Sequence, residues 1–331
     1  MFLEIISIEL THKCNLDCEW CFNKYSLGFS RKWELPYEKL VYVLLTFEKW
    51  RRKNNIKKPL IKLTWWEPLL HSKFTQIVLF IKKVLKYKIK LNTNWLLIEK
   101  YETLIKDNID IILFSYHFLD KSTDIWDYRH KKDKAAKIIS NMPKNIKKII
   151  CTRTNKDFID NIDSIVAYIN TSFSFDKYIF WFPLLAKDEI LDFWKNDFEK
   201  FVKKVILLDS KYKIDLKIGF PPAFCFNKKP YLLDLVTEIE NLYTFLWIRI
   251  NINPFWRLTN SYYYTEEEIE VKNEESFDLF FNSKLLKKTK GFEWVNKTCK
   301  ECRFLNKCWW GNRMFAYASN WDLFWKDPWM T

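Results

Sequence analysis

Three cysteines near the start of the chain have the spacing of an iron–sulfur site. Cys14, Cys18 and Cys21 form the pattern C-x3-C-x2-C within "IELTHKCNLDCEWCF". Three thiolates on one loop can bind three irons of a 4Fe-4S cluster and leave the fourth iron open to a further ligand. Structural zinc takes four protein ligands, and nothing nearby supplies the fourth, since His12 stands at a strand exit. The spacing therefore favours a cluster, with zinc as the alternative.

Short apolar runs alternate with amphipathic segments up to about residue 190, and this alternation predicts the elements that position the cysteines. The predicted strands are Ile6–Leu10, Leu60–Thr64, Ile89–Thr93, Ile111–Ser115, Lys148–Thr152 and Tyr178–Pro183. The predicted helices are Tyr37–Arg51, Lys73–Leu85, Ile98–Lys106, Lys132–Ser140, Ile159–Ile169 and Asp188–Leu207. Such β–α alternation indicates an α/β protein with a parallel sheet or barrel and outer helices.

Four candidate site residues fall at or just after the ends of predicted strands. They are Cys14, Glu67, Asn94 and Ser115. Sites in such folds gather at the C-terminal ends of the strands, so we expect these side chains to converge on one mouth. Further along, the chain becomes irregular and carries a second cysteine group. We therefore predict two domains, a core of residues 1–205 and a smaller, irregular, cysteine-rich domain of residues 206–331.

Composition sets limits on the class of protein. The chain has 331 residues, 48% of them hydrophobic, which is enough for a sizeable core. No secretory signal is apparent and no apolar run approaches the roughly 18 residues of a membrane span, so a soluble, cytoplasmic protein is expected. In that compartment the eight cysteines indicate metal ligands rather than disulfides.

The net charge of +14 has two interpretations. It could attract a nucleic acid or an acidic peptide, or it could reflect the lysine-rich composition of an AT-rich genome. The lysines are spread along the chain and form no compact stripe with interleaved aromatic residues. We therefore expect neither a nucleic-acid partner nor a membrane.

Several motifs together give the chain a family resemblance. The cysteine triplet follows the first predicted strand, "LTWWEPLL" is similar to a T-G-G-E-P-L-L turn, and "LNTNWLLI" is similar to T-N-G-x-L-I. With "ILFSYHFLD" and "CTRTNKDFIDNI", they make the chain resemble the radical S-adenosylmethionine (SAM) superfamily. The resemblance implies a partial (β/α)6 barrel and the cofactors of that family, a 4Fe-4S cluster and SAM.

In that family, SAM binds the open iron and its reductive cleavage yields a 5′-deoxyadenosyl radical. The resemblance implies that Cys14, Cys18 and Cys21 hold the catalytic cluster. It implies SAM contacts by Trp20, Thr64, Trp65, Trp66, Glu67, Asn94 and Ser115. It also implies an electron donor such as flavodoxin or ferredoxin, and a substrate that is a peptide or a small molecule, a peptide being commonest. No further catalytic residue is expected from the motifs.

The second cysteine group resembles part of a SPASM domain, which carries auxiliary clusters in peptide-modifying members of the superfamily. Cys299, Cys302 and Cys308 form C-x2-C-x5-C, while four other cysteine positions of the pattern hold different residues. The resemblance implies that one auxiliary cluster is lost and that the other, a second 4Fe-4S cluster in the chain, keeps these three ligands. Cys225 is the candidate fourth ligand. The same four thiolates would also satisfy zinc.

Tryptophan stands where the superfamily has glycine. The affected positions are Trp65, Trp66, Trp95, Trp247, Trp256, Trp310 and Trp321, and the context of Trp33 also suits glycine. The chain has 4 glycines and 17 tryptophans, although an average protein of this length would have about 23 glycines. We therefore expect that UGA codons meaning glycine in the source organism are written here as tryptophan. The alternative is a non-catalytic pseudoenzyme, a binding protein held together by zinc or a cluster, with nucleic acid as one candidate for what it binds.

Overall fold

The computed structural model describes residues 3–16, 18, 33–117, 125–154, 156–181, 198–219, 248–259, 268–284 and 287. The strands are β1 (Leu3–Glu9), β2 (Leu60–Thr64), β3 (Ile89–Thr93), β4 (Ile111–Ser115), β5 (Lys147–Arg153), β6 (Lys177–Trp181), β7 (Asp215–Gly219), β8 (Ile248–Ile252), β9 (Arg257–Thr259) and β10 (Ile269–Glu270). The helices are α1 (Tyr37–Lys53), α2 (Phe74–Leu79), α3 (Glu102–Asn108), α4 (Ile125–Ser140), α5 (Lys156–Asp160), α6 (Ile162–Ser172), α7 (Phe198–Tyr212) and α8 (Glu275–Phe281).

The chain packs as two units. The first comprises Met1–Ser115, Lys121–Ile149 and Leu246–Gly291, and the second comprises Tyr116–Asp120, Ile150–Phe245 and Phe292–Thr331. In the first unit the strand order is β10-β9-β8-β1-β2-β3-β4. Strands β8, β1, β2, β3 and β4 are parallel, and β9 and β10 are antiparallel additions at the edge. In the second unit β6 and β7 are parallel neighbours.

The two faces of the first unit's sheet differ in chemistry because the strand sequences alternate. Ile6 and Ile8 on β1 are fully buried on one face, as are their register partners on β2 and β8. Ser7 and Glu9 lie on the opposite face. Ser7 pairs in register with Lys62, and Lys62 pairs with Lys90. The polar face continues to the strand ends that carry the candidate site.

Helix α1 shows how an amphipathic segment anchors the apolar face. Its buried residues include Leu40, Val43, Leu44, Phe47 and Trp50, at the spacing that forms one helical stripe. The Trp50 ring stacks on Phe281 of α8 with ring centroids 5.0 Å apart, and its Nε1 donates to Asp278. None of the helices within the described ranges is long and apolar enough to cross a membrane.

Candidate functional site

The loop after β1 holds the first candidate metal ligands. Cys14 and Cys18 are not in a disulfide, and both are half-buried. Thr11 fixes the base of the loop, because its Oγ1 donates to the carbonyl of Trp33 at 2.9 Å and accepts from the backbone N–H of Lys13 at 3.1 Å. Cys21 and Trp20, the other two predicted site residues here, lie outside the described residues.

The sulfur of Cys14 receives two N–H groups. The backbone N–H of Leu16 lies 3.5 Å from Cys14 Sγ, and the Asn94 side-chain nitrogen Nδ2 lies 3.6 Å from it. Asn94 Nδ2 also lies 2.7 Å from Asn15 Oδ1. The end of β3 is therefore joined to the cysteine loop by hydrogen bonds.

Glu67 connects the ends of β2 and β3. Its Oε1 accepts from the Leu69 N–H at 3.0 Å and from Thr93 Oγ1 at 3.0 Å, and its Oε2 accepts from the Asn94 N–H at 2.6 Å. The Glu67 N–H donates to the carbonyl of Lys13 at 3.0 Å. Burial raises the pKa of Glu67 to about 7, against the lowering effect of these hydrogen bonds. Glu67 therefore connects the turn after β2, the end of β3 and the cysteine loop by hydrogen bonds.

Thr64 and Ser115 occupy the last positions of β2 and β4. Thr64 is buried, and its Oγ1 accepts from Asn92 Nδ2 at 3.0 Å. Ser115 is half-buried. The structure thus brings the ends of the central parallel strands to one edge of the sheet, with Glu67 and Asn94 bonded to each other.

Several of the tryptophans predicted to replace glycine have a left-handed backbone. Trp65, Trp66, Trp95 and Trp256 have φ values of 69°, 41°, 76° and 53°. For an L-residue with a Cβ this region costs about 1–2 kcal/mol, and glycine populates it without that cost. The three positions in the SAM-like motifs therefore have the backbone that glycine prefers.

The side chains at these positions are hard to accommodate. Trp95 is only 2% exposed. The Nε1 of Trp66 is buried and meets no acceptor within the part of the chain that the structure describes. A buried N–H without a partner costs about 1–3 kcal/mol. Large indoles at the strand ends thus add a side-chain penalty to the backbone penalty.

A buried acid–imidazole pair lies beside this turn, and the sequence patterns did not single it out. His12 Nε2 is 3.6 Å from Glu9 Oε2, and both side chains are almost fully buried. The His12 ring lies 5.8 Å from Trp66 and 6.3 Å from Phe255, centroid to centroid. Burial raises the pKa of Glu9, and His12 partly offsets this effect. The only signal in the sequence was "ELTH", which places both residues near the strand exit.

The chemistry of the donors suits an iron–sulfur cluster. Two cysteines outside any disulfide stand on one loop, and N–H groups lie at hydrogen-bonding distance from one of the sulfurs, a contact that tunes the thiolates of such clusters. Within the described residues no group of three or more His, Cys, Asp or Glu is placed to hold a metal, and the third cysteine of the motif lies outside them. Cys151 is buried in β5, where a core residue was predicted.

The second predicted metal site cannot be placed. Cys225, Cys299, Cys302 and Cys308 lie outside the described residues. Their assignment to a second cluster or to zinc stays a prediction. The SPASM-like character of residues 206–331 and the domain boundary before residue 206 stay predictions as well.

The parallel α/β sheet carries a cysteine loop directly after its first strand, and the sequence match identifies the family with this arrangement. Residues 8–174 match the Radical SAM superfamily. Because this match covers half of the chain, the chain belongs to that superfamily and is an enzyme of it. Membership implies a 4Fe-4S cluster and SAM as cofactors. The predicted family and α/β fold class are confirmed.

The curated relatives match part of the chain. The probable GTP 3′,8-cyclase of Methanococcus aeolicus is 31% identical over 122 residues, which are 36% of this chain and 38% of that protein. The probable GTP 3′,8-cyclase of Methanococcus maripaludis is 31% identical over 146 residues, 43% of this chain and 44% of that protein. The chain therefore matches less than half the length of these relatives.

Solved structures match nearly the whole chain in fold. Tagged anSMEcpe with bound AdoMet superposes with a TM-score of 0.64 at 14% identity, covering 94% of this chain and 89% of that chain. Native anSMEcpe with bound AdoMet and the Cp18Cys peptide gives a TM-score of 0.61 at 15% identity, covering 95% and 90%. At these identities the likeness shows a shared fold.

Proposed function

We propose that this protein reductively cleaves SAM at a 4Fe-4S cluster held by Cys14, Cys18 and Cys21, and uses the resulting 5′-deoxyadenosyl radical to modify a substrate. The observation that carries the proposal is the bonding of Asn94 to both Cys14 Sγ and the Glu67 carboxylate. It joins the cysteine loop to the glutamate of the turn that binds SAM in the superfamily. When bound, the cluster supplies the electron that breaks the bond between sulfur and C5′.

Hydrogen bonds within the protein hold the turn proposed to bind SAM next to the loop proposed to bind the cluster. Glu67 accepts the N–H groups of Leu69 and Asn94 and so fixes the backbone of the turn on one side and the end of β3 on the other. Its own N–H donates to the Lys13 carbonyl, one residue before the first cysteine. The turn and the cysteine loop are therefore joined by direct hydrogen bonds through Glu67.

The active form of the chain carries glycine at positions 65, 66, 95 and 256. The left-handed φ angles at these positions support this proposal, as does the low number of glycines. Trp side chains bury about 150–250 Å² each, and two in the turn would fill the space that the methionine part of SAM needs. The chain with tryptophan at 65 and 66 is then a pseudoenzyme that binds a metal and no SAM.

The test is anaerobic release of 5′-deoxyadenosine from SAM after reduction. The chain with W65G, W66G, W95G and W256G is expected to release it, and the chain with tryptophan at all four positions is not. C18A in the glycine background is the matched control and should release none. A glycine-restored protein with a full complement of iron and sulfide that still releases none would overturn the proposal.

We propose that the substrate is a peptide. Support comes from the anSMEcpe structure with a bound peptide, whose chain is covered to 90%, whereas less than half of each GTP cyclase is matched. Addition of GTP should not increase 5′-deoxyadenosine release by the glycine-restored chain. A GTP-dependent increase that consumes the GTP would contradict the peptide proposal and favour a nucleotide substrate.

The remaining parts of the proposal concern the cell and the C-terminal residues. Cys14, Cys18 and Cys151 are not in disulfides, which suits a reducing, cytoplasmic compartment with a flavodoxin or ferredoxin as electron donor. An auxiliary 4Fe-4S cluster or zinc ion on Cys225, Cys299, Cys302 and Cys308 completes it. Iron and zinc analysis of the C18A protein tests that second site, because the first cluster is then absent.

A further inference from the structure

We propose that Asn94 sets the reduction potential of the cluster, because its side-chain amide donates a hydrogen bond to the sulfur of Cys14. The inference rests on the proposed function, since it concerns the cluster that the cysteine loop would hold. It gives Asn94 a positioning and tuning role that the SAM-like motif did not indicate.

The geometry places the amide at the sulfur. Asn94 Nδ2 lies 3.6 Å from Cys14 Sγ, and the backbone N–H of Leu16 lies 3.5 Å from the same atom. The second hydrogen of the Asn94 amide is taken up by Asn15 Oδ1 at 2.7 Å. Both amide hydrogens are thus directed at atoms of the cysteine loop.

The orientation of the amide is fixed by its neighbours. Asn94 Oδ1 accepts from the backbone N–H of Leu96 at 3.3 Å, which places the oxygen on that side and the nitrogen on the side of the sulfur. The backbone of Asn94 is held as well, since its N–H donates to Glu67 Oε2 at 2.6 Å. The residue is 8% exposed. A buried amide whose oxygen and nitrogen are both hydrogen-bonded keeps its orientation. Its N–H therefore continues to face the sulfur of Cys14.

The sign of the effect follows from electrostatics. An N–H group presents its positive end to the sulfur, and one-electron reduction makes the cluster and its thiolates more negative. The hydrogen bond therefore stabilises the reduced form more than the oxidised form and raises the potential. Little water surrounds the buried amide, which strengthens the interaction. Removing the donor lowers the potential.

The test is an anaerobic redox titration, followed by electron paramagnetic resonance, of the reconstituted full chain without SAM. N94A is expected to shift the reduction equilibrium about tenfold towards the oxidised form, which is about 59 mV for a one-electron couple. N92A is the matched control. Asn92 lies in β3, two residues before Asn94, and its Nδ2 donates to Thr64 Oγ1 rather than to a cysteine. The potential of N92A should therefore equal that of the parent.

The experiment distinguishes a failure of the proposed function from a failure of the inference about Asn94. Iron and sulfide content is measured first, and a parent chain that binds no cluster would count against the proposed function. N94A with a full cluster and the parent potential overturns the inference, as does an equal shift in N92A. If N94A does not retain a cluster, N94L decides, because leucine is close to asparagine in size and has no N–H to donate to Cys14 Sγ. N94L should lower the potential, and an unchanged value overturns the inference.

Discussion

The buried carboxyl group of Glu67 should make the free energy of unfolding fall as the pH rises through 7. A substitution that cannot ionise should remove this part of the pH dependence. Its pKa is raised by burial from 4.5 to about 7, a difference of about 2.5 units or about 3 kcal/mol. A raised pKa means that the folded state binds more protons than the unfolded state between these two values. The stability that the protonated group contributes is present in full below pH 4.5 and is lost as the pH rises through 7.

The perturbation is Glu67→Gln, which resembles the protonated acid in shape and cannot ionise. With the two pKa values above, about 2 kcal/mol of the loss falls between pH 5.5 and pH 8.0. The parent should therefore lose about 2 kcal/mol more than E67Q over this interval. The free energy of unfolding is measured by anaerobic urea titration of the reconstituted proteins at both pH values.

Glu48→Gln is the matched control. Burial raises the pKa of Glu48, but hydrogen bonds from Arg51, Tyr87 and Arg52 outweigh it and lower the pKa to about 2. Its contribution to stability is lost only as the pH falls below 4.5, so E48Q should differ from the parent by the same amount at pH 5.5 and 8.0. Parallel pH profiles for the parent and E67Q would refute the account of Glu67 as a buried, readily protonated acid.

Other predictions concern the tryptophans, the thiols and the packing of α1. W66G should lower the unfolding free energy by about 3 kcal/mol less than W50G does. Glycine at position 66 relieves a left-handed backbone, whereas glycine at position 50 leaves a cavity in the core. Equal losses for the two variants would contradict this prediction. C18A should lose the iron of the first cluster while C151A retains it, measured as iron per chain. D278A should cost about 1–3 kcal/mol in urea unfolding, because it leaves the Trp50 Nε1 without its acceptor, and no loss would argue against that bond.

The strands that position the site were accessible from the sequence. Strands β2, β3 and β4 have the predicted bounds, since each is a short apolar run between turn-forming residues. The helix predicted from Lys73 to Leu85 instead changes to a π-helix at Phe80–Val84, because hydrogen bonding within a helix is not encoded in apolar spacing. The helix predicted to begin at Lys132 begins earlier, at Ile125, where the apolar pattern is weak.

Long-range contacts could not be predicted in the same way. Motif spacing placed Asn94 at a strand end, but not its amide against Cys14, which lies 80 residues away in the chain. The parallel pairing of β8 with β1 was also not anticipated, because no local pattern reveals which edge of the sheet a late strand joins. The Glu9–His12 pair was missed because its significance depends on burial.

The most direct measurement is the mass of the peptide spanning residues 63–73, isolated from the source organism. Glycine at positions 65 and 66 is the predicted result, since both have left-handed backbones in a turn that must admit SAM. Tryptophan at both positions would contradict the account. The cofactor space would then be filled in the native protein, and the protein would be a metal-binding pseudoenzyme rather than one that cleaves SAM.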